Sequence, residues 1–331
     1  MLYGHGDDAY RYPHLLANFS SNICQQTDYS ALRTHLSARF DVIGNYPEPE
    51  PLALERALAV HHNVDPRCVI VTNGATDAIY LVAQAYAHLQ YHVCQPTFSE
   101  YEDACRMFGL QCVNLKSQTP NLKSQICWTC NPRNPDGHVY SPIDIQALAH
   151  SHQILVVDQA YEHYTDLPLL TPREATESKN IIQLHSMTKT YAVPGLRLGY
   201  IVANVDITER LRHYLRPWAV NALAIEAGLF LLQHDELQVT PDLSEAQRLR
   251  NRIQDFDALC VAPTSTTFML CQARGITAAD LKQLLAERFG LLIRDASNFT
   301  TLTPSHFRVA AQSPAQNDLL VSALTQITAA L

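Results

Sequence analysis

No run in the 331-residue sequence approaches the roughly 18 consecutive apolar residues of a membrane span, so no transmembrane segment is expected. Lysine and arginine never gather into a block. With 24 of them against 32 acidic residues the net charge is −8, which argues against a binder of phosphate backbones. The start, MLYGHGDDAYRYPH, lacks the basic-then-apolar order of a secretory signal. Nine cysteines without regular spacing suit free thiols in a reducing cytoplasm rather than a disulfide frame. Cys127 and Cys130 stand at C-x-x-C spacing, but they sit in an apolar strand that runs into a proline-rich turn, and no second pair exists. Neither redox nor metal use is assigned to them. The histidines, His61-His62 included, are expected on the surface, and no metal is expected.

Hydrophobic residues make up 47% of the chain and charged ones 17%, the balance of a globular protein with a large core. Its length suits one large domain and a smaller one. Four segments carry candidate chemistry. Cys68–Val71 reads as a short buried strand, Thr72–Thr76 as a tight turn and Asp77–Ala87 as a helix. A strand, a glycine turn and a helix N-terminus make an anion site, with Gly74 permitting close approach and Ala75 and Thr76 donating. Asn131-Pro-Arg-Asn-Pro-Asp-Gly137 is a rigid turn with two Asn-Pro steps. Gln153–Asp158 is a continuous apolar run that ends in a carboxylate, and a buried carboxylate needs a partner. Read alone, Asp158 would be a helix cap.

The fourth segment, Ser186–Tyr200, reads SMTKTYAVPGLRLGY. It sets Lys189 among the hydroxyls of Ser186, Thr188 and Thr190, with Arg197 following. Such a lysine could hold an aldehyde cofactor as a Schiff base while hydroxyls and guanidinium grip its phosphate. A lone Ser-x-x-Lys is more often a solvated loop. Yet all these side chains sit just past the C-terminal end of a strand, where open α/β sheets bind ligands.

Together these segments resemble the fold-type-I pyridoxal phosphate (PLP) enzymes of the aspartate aminotransferase superfamily. The resemblance implies an α/β fold with a mostly parallel central sheet flanked by helices and a smaller α+β domain. It implies an N-terminal lid over residues 1–40, a large cofactor domain over 41–218, and a connecting helix with the small domain over 219–331. Gly74, Ala75, Thr76, Ser186 and Arg197 would hold the cofactor phosphate. Asp158 would pair with the pyridine nitrogen and keep the ring an electron sink. Asn134 and Tyr161 would contact its phenolic oxygen. Phe98 would stack on the ring face, unless it is a plain core residue. Tyr46 would reach the partner's cofactor in a homodimer, unless it packs locally.

Substrate contacts follow from the same resemblance. Arg308 would grip an α-carboxylate, helped by Asn134, and Arg294 would contact a substrate phosphate. Asn22 belongs to the Asn18–Asn22 segment that lies over the site in histidinol-phosphate aminotransferases. His5-Gly6 resembles the His-Gly-Gly-Asn start of the threonine-phosphate decarboxylase branch, with Asp7 and Asp8 replacing Gly and Asn. Acids there would repel a phosphate. Pro217-Trp-Ala-Val-Asn-Ala-Leu-Ala224, expected to open a long connecting helix, and residues 307–317 resemble that same branch. Between Val113 and Cys127, where relatives carry a helix, the chain is short and polar.

The implied activity is decarboxylation of L-threonine O-3-phosphate to (R)-1-aminopropan-2-yl phosphate in cobalamin assembly, with histidinol-phosphate aminotransferase as the alternative. Both reactions use the same residues, because the bond at Cα that stands perpendicular to the ring decides which one runs. A PLP-binding regulator without turnover is disfavoured, since the chain is acidic and begins at the lid.

Overall fold

The computed structural model describes residues 7–23, 27–113 and 125–329. His5 and most of the polar stretch after Val113 lie outside them. Strand β1 (Ala17–Asn18) precedes β2 (Val69–Thr72), β3 (Gln90–Val93), β4 (Gln111–Cys112), β5 (Gln125–Cys130), β6 (Ile154–Asp158), β7 (Ile181–His185) and β8 (Gly199–Ala203). The last seven form one sheet in the order β2-β8-β7-β6-β5-β3-β4. Among them β8 alone runs against its neighbours, β2 and β7, and every other pairing is parallel.

The sequence dictates this burial. Every position of β2, β5, β6 and β7 is buried, as strands covered on both faces must be. One face packs Ile126, Trp128, Val156 and Ile182 beneath helices Gly74–Ala85 and Glu100–Met107. The other packs Cys127, Leu155 and Val157 beneath helices Pro142–Ser151 and Pro172–Glu177. Both latter helices open on a capping box with proline in the first turn, which satisfies their free N–H groups.

The remaining strands are β9 (Leu259–Val261), β10 (Phe268–Ala273), β11 (Leu291–Leu292), β12 (Arg294–Asp295) and β13 (His306–Ala310). Four of them form an antiparallel sheet, β12-β13-β10-β9, while β11 pairs in parallel with β1. Leu249, Leu285, Leu320 and Leu324 from three helices pack against Met269 and Phe307 of this sheet, and Ala17 and Phe19 join the same core. The expected α/β architecture with a smaller α+β part is therefore present. Among the described residues no helix is long and apolar enough to cross a membrane.

Two expectations need correcting. No single long helix begins at Pro217: Trp218 has a positive φ of 58° and the helix starts at Ala222, where the Asn221 side chain accepts from the Ala224 N–H. It ends at Leu231, and a second helix, Leu243–Gln254, begins only after Pro241 with Asp242 as its cap. Nor are all the histidines at the surface. His185 and His152 are buried, because one ends a buried strand and the other closes a helix packed on the sheet. His185 Nδ1 lies 2.9 Å from Glu162 and His62 Nε2 lies 2.7 Å from the Tyr200 hydroxyl. Burial, then His185, pushes His62 down to about 3, so it stays neutral.

Candidate active site

A cavity of about 830 Å³ opens at the C-terminal ends of the parallel strands. Its floor is set by β6. Asp158, the strand's last residue, is buried, and its Oδ2 accepts from the Tyr101 hydroxyl at 2.7 Å while Oδ1 accepts from the Ala160 N–H at 2.9 Å. Burial pushes the carboxyl up from its ordinary value, and the Tyr101 hydrogen bond pulls the other way. Tyr101 is a site residue that sequence reasoning missed. Its signal was its place in the first turn of the helix that follows Phe98.

β7 delivers the next group. Its end leads into a short turn of helix, Met187–Thr190, which turns Lys189 into the cavity with its Nζ 5.7 Å from the Tyr161 ring centre. Burial is the main force lowering the Lys189 ammonium to about 8; Arg308 and Arg197 add to it, and Asp7 and Asp158 oppose them. An amine so poised keeps a far larger neutral fraction near physiological pH than an ordinary lysine, and the neutral form is the one that attacks a carbonyl. Burial likewise raises the Tyr161 hydroxyl to about 12, with Arg308 opposing.

Around Lys189 lies an anion cradle. The helix N-terminus brings Ala75 and Thr76 to the cavity wall, joined by Ser186, Thr188 and Arg197. The Ser186 and Thr188 hydroxyls are 2.5 Å apart, so both can turn to one acceptor. Gly74 has a φ of +81°, and a Cβ there would come within 2.6 Å of Arg197 Nη2. Only glycine lets the guanidinium lie over this turn.

Opposite the cradle stands Arg308 on β13. Its Nη1 donates to Asn134 Oδ1 at 2.6 Å, its Nη2 donates to the Ser20 carbonyl, and its Nε is buried without a partner. Burial pushes this guanidinium down to about 10. Asn134 is brought here by the turn after β5, whose Gly137 has φ +72° and faces Thr264 so closely that a Cβ would clash at 1.9 Å. Asp136 does more than fill a turn position: it pairs with Arg133, whose Nε donates to it at 2.9 Å. Ser20, Ser21, Asn22 and Ile23 close the cavity, and both amide atoms of Asn22 are buried with no hydrogen-bond partner.

The structure thus brings Asn22, Ala75, Thr76, Phe98, Asn134, Asp158, Tyr161, Ser186, Lys189, Arg197 and Arg308 to one cavity, with Gly74 beneath it. Arg294 does not line it. Arg294 is paired across the sheet with Arg308 but donates to Asn298 Oδ1 at 2.9 Å. Tyr46 is also outside, 86% exposed, its ring tilted against that of Trp218. The two acids at the start of the chain part company. Asp8 is tied to Lys282 at 2.6 Å, whereas Asp7 lines the cavity and accepts from the Asn18 amide at 2.7 Å.

Comparison with known proteins agrees with this geometry. The family model described as aminotransferase class I and II matches residues 16–324. The chain is 29% identical to the threonine-phosphate decarboxylase of Salmonella typhimurium, across 95% of this chain and 92% of that protein. It is also 29% identical to a histidinol-phosphate aminotransferase of Caldanaerobacter subterraneus subsp. tengcongensis, across 85% and 84%. The crystal structure of L-threonine-O-3-phosphate decarboxylase from Porphyromonas gingivalis superposes with a TM-score of 0.88 at 37% identity, covering 94% of this chain and 99% of that one. With a lysine, a buried carboxylate and an anion cradle at the ends of its parallel strands, this chain belongs to the aminotransferase class I and II family and has the fold of the type-I PLP-dependent transferases.

Proposed function

We propose that the chain decarboxylates L-threonine O-3-phosphate to (R)-1-aminopropan-2-yl phosphate, a step of cobalamin assembly, as a cytoplasmic PLP enzyme. The observation that carries this reading is the 37% identity, over nearly the whole of both chains, with L-threonine-O-3-phosphate decarboxylase. Histidinol-phosphate aminotransferase is the second reading, because a relative of that name is 29% identical, the same as the Salmonella threonine-phosphate decarboxylase, over a slightly shorter span. Purified protein given PLP and threonine phosphate should release CO₂. No release, with turnover of histidinol phosphate and 2-oxoglutarate, would move the assignment to the second reading.

The cofactor is pyridoxal 5′-phosphate, and the residues present fit it. Ala75, Thr76, Ser186, Thr188 and Arg197 would hold its phosphate, Asp158 its ring nitrogen and Phe98 its ring face. Tyr161 and Asn134 would reach the phenolic oxygen. The orphaned amide of Asn22 and the free Nε of Arg308 are donors that await a ligand. When bound, PLP supplies the sink that draws off the electron pair of a broken bond at the substrate's Cα. Everything else falls to the protein. Arg308 and Asn134 orient the substrate carboxylate, the Ser20–Ile23 segment keeps water out, and Lys189 Nζ carries a proton to Cα after CO₂ departs.

Tyr101→Phe tests the carboxylate's support. Removing a hydrogen bond to a charged group costs about 1.5–3 kcal/mol, which raises the Asp158 pKa further. PLP affinity, titrated by absorbance across pH, should then begin to fall at a correspondingly higher pH as acid is added.

The working unit we propose is a homodimer in which Tyr46 reaches the partner's cofactor, and the division into a lid, a large domain and a small domain follows the sequence boundaries at about residues 40 and 218. Exposure of Phe40, Ile43, Tyr46 and Trp218, with the Tyr46 and Trp218 rings adjacent, supports the dimer. Sedimentation should give twice the chain mass, and a fully active monomer would refute it.

A further inference from the structure

A second cluster lies away from the cofactor. β3 and β5 pair in parallel with His92 opposite Cys127, and the helix Pro142–Ser151 ends above them at His152. Cys127 points to the face packed beneath that helix, whereas Ile126, Trp128 and Cys130 face the other way. Three residues along a strand reverse the side-chain direction, so the C-x-x-C pair is split by the sheet. Cys130 borders the cofactor cavity, and Cys127 instead meets residues distant in sequence.

The ligand atoms of His92, Cys127 and His152 all lie within 4.8 Å of one another. Cys127 Sγ is 3.8 Å from His92 Nδ1 and 3.8 Å from Cys94 Sγ. A tetrahedral zinc ion, with Zn–S near 2.3 Å and Zn–N near 2.0–2.1 Å, spaces neighbouring ligand atoms by about 3.3–3.8 Å. His152 adds an independent sign. Its Nδ1 lies 2.9 Å from the Leu148 carbonyl, which fixes the proton on that nitrogen. That leaves Nε2 as a bare lone pair, and this atom is buried with no partner in a residue only 4% exposed. A ring N–H donated to a backbone carbonyl, which leaves the other nitrogen free to ligate, is how proteins orient metal-binding histidines.

We propose that His92, Cys127 and His152 bind one divalent cation of the borderline-soft class, with zinc the best fit. One sulfur and two imidazoles without a carboxylate disfavour magnesium and calcium, which want oxygen ligands. Three protein ligands from two strands and a helix end tie the helix Pro142–Ser151 to β3 and β5. The half-buried His92 and Cys94 give it an entry path.

The test uses untagged, PLP-loaded full-length protein, stripped with a chelator and then given zinc and desalted. One zinc per chain should remain. Cobalt in its place should show sulfur-to-cobalt charge transfer and tetrahedral d–d bands. Cys127→Ser and His152→Gln should lose the ion and the cobalt spectrum while keeping the cofactor's absorbance, and the exposed Cys260→Ser should lose neither. Zinc should raise the thermal midpoint of the wild type and leave that of His152→Gln unmoved. Should Cys127→Ser fail to fold, His92→Gln at the half-exposed position answers the same question. Wild-type protein that retains no more zinc than His152→Gln overturns the site. So does a Cys94–Cys127 disulfide forming in protein that takes up no metal.

Discussion

Lys189→Ala protein is expected to lose turnover of threonine phosphate by at least about a thousandfold, the combined loss of a covalent anchor and a proton carrier. It should nevertheless fold. The side chain points into a cavity of about 830 Å³, and its ammonium is one that burial has already driven down to about 8. Removing a desolvated amine from the edge of a void takes away a cost rather than a packing partner. The thermal midpoint should therefore hold or rise while CO₂ release vanishes. A second readout separates attachment from catalysis: borohydride should trap cofactor on the wild-type chain and none on the variant, as read by intact mass. In the wild type, capture of free PLP should quicken as pH rises through about 8, because the neutral amine is the attacking form and its fraction grows. Turnover that survives in Lys189→Ala would remove the residue from the mechanism.

The gathering of the candidate site's residues at one cavity was legible because each group is announced by local covalent pattern. A continuous apolar run that ends in Asp158, two Asn-Pro steps, and a lysine amid hydroxyls all put their functional atoms where a strand stops, and the sheet does the rest. What stayed hidden depends on contacts between distant segments. Tyr101 reaches Asp158 across 57 residues, and beyond its place in the first turn after Phe98 nothing in that helix marks its hydroxyl as different from that of a core tyrosine. His152 and Cys127 meet only because β3, β5 and a helix end share one sheet face. Arg294 was misplaced for a related reason. Paired strands set Arg294 beside Arg308, but Asn298 and the Phe299 ring draw its guanidinium aside. The restart of helix at Leu243 turns on Pro241 and the Asp242 cap, signals that an apolar string such as Asn-Ala-Leu-Ala outweighed.

Arg308→Lys should lower kcat/KM for threonine phosphate roughly thirtyfold to several-thousandfold, from the 2–5 kcal/mol that loss of a buried, hydrogen-bonded charge contact costs. The guanidinium is held as a fork by Asn134 and the Ser20 carbonyl, which leaves its Nε free in a water-poor wall. A lysine keeps the positive charge, so the electrostatic pressure on Lys189 changes little, but it is a single point donor that cannot span the two carboxylate oxygens while still meeting Asn134. Loss should therefore fall on carboxylate recognition. The product of the proposed reaction, an amine with the phosphate but without the carboxylate, provides the control. If Arg308 grips the carboxylate, inhibition by (R)-1-aminopropan-2-yl phosphate should be nearly unchanged in the variant while substrate affinity falls. If Arg308 only braces the wall between Asn134 and Ser20, both should weaken together. Unchanged absorbance of the bound cofactor would show that the cradle at Ser186 and Arg197 is intact, and it would confine the defect to the far side of the cavity.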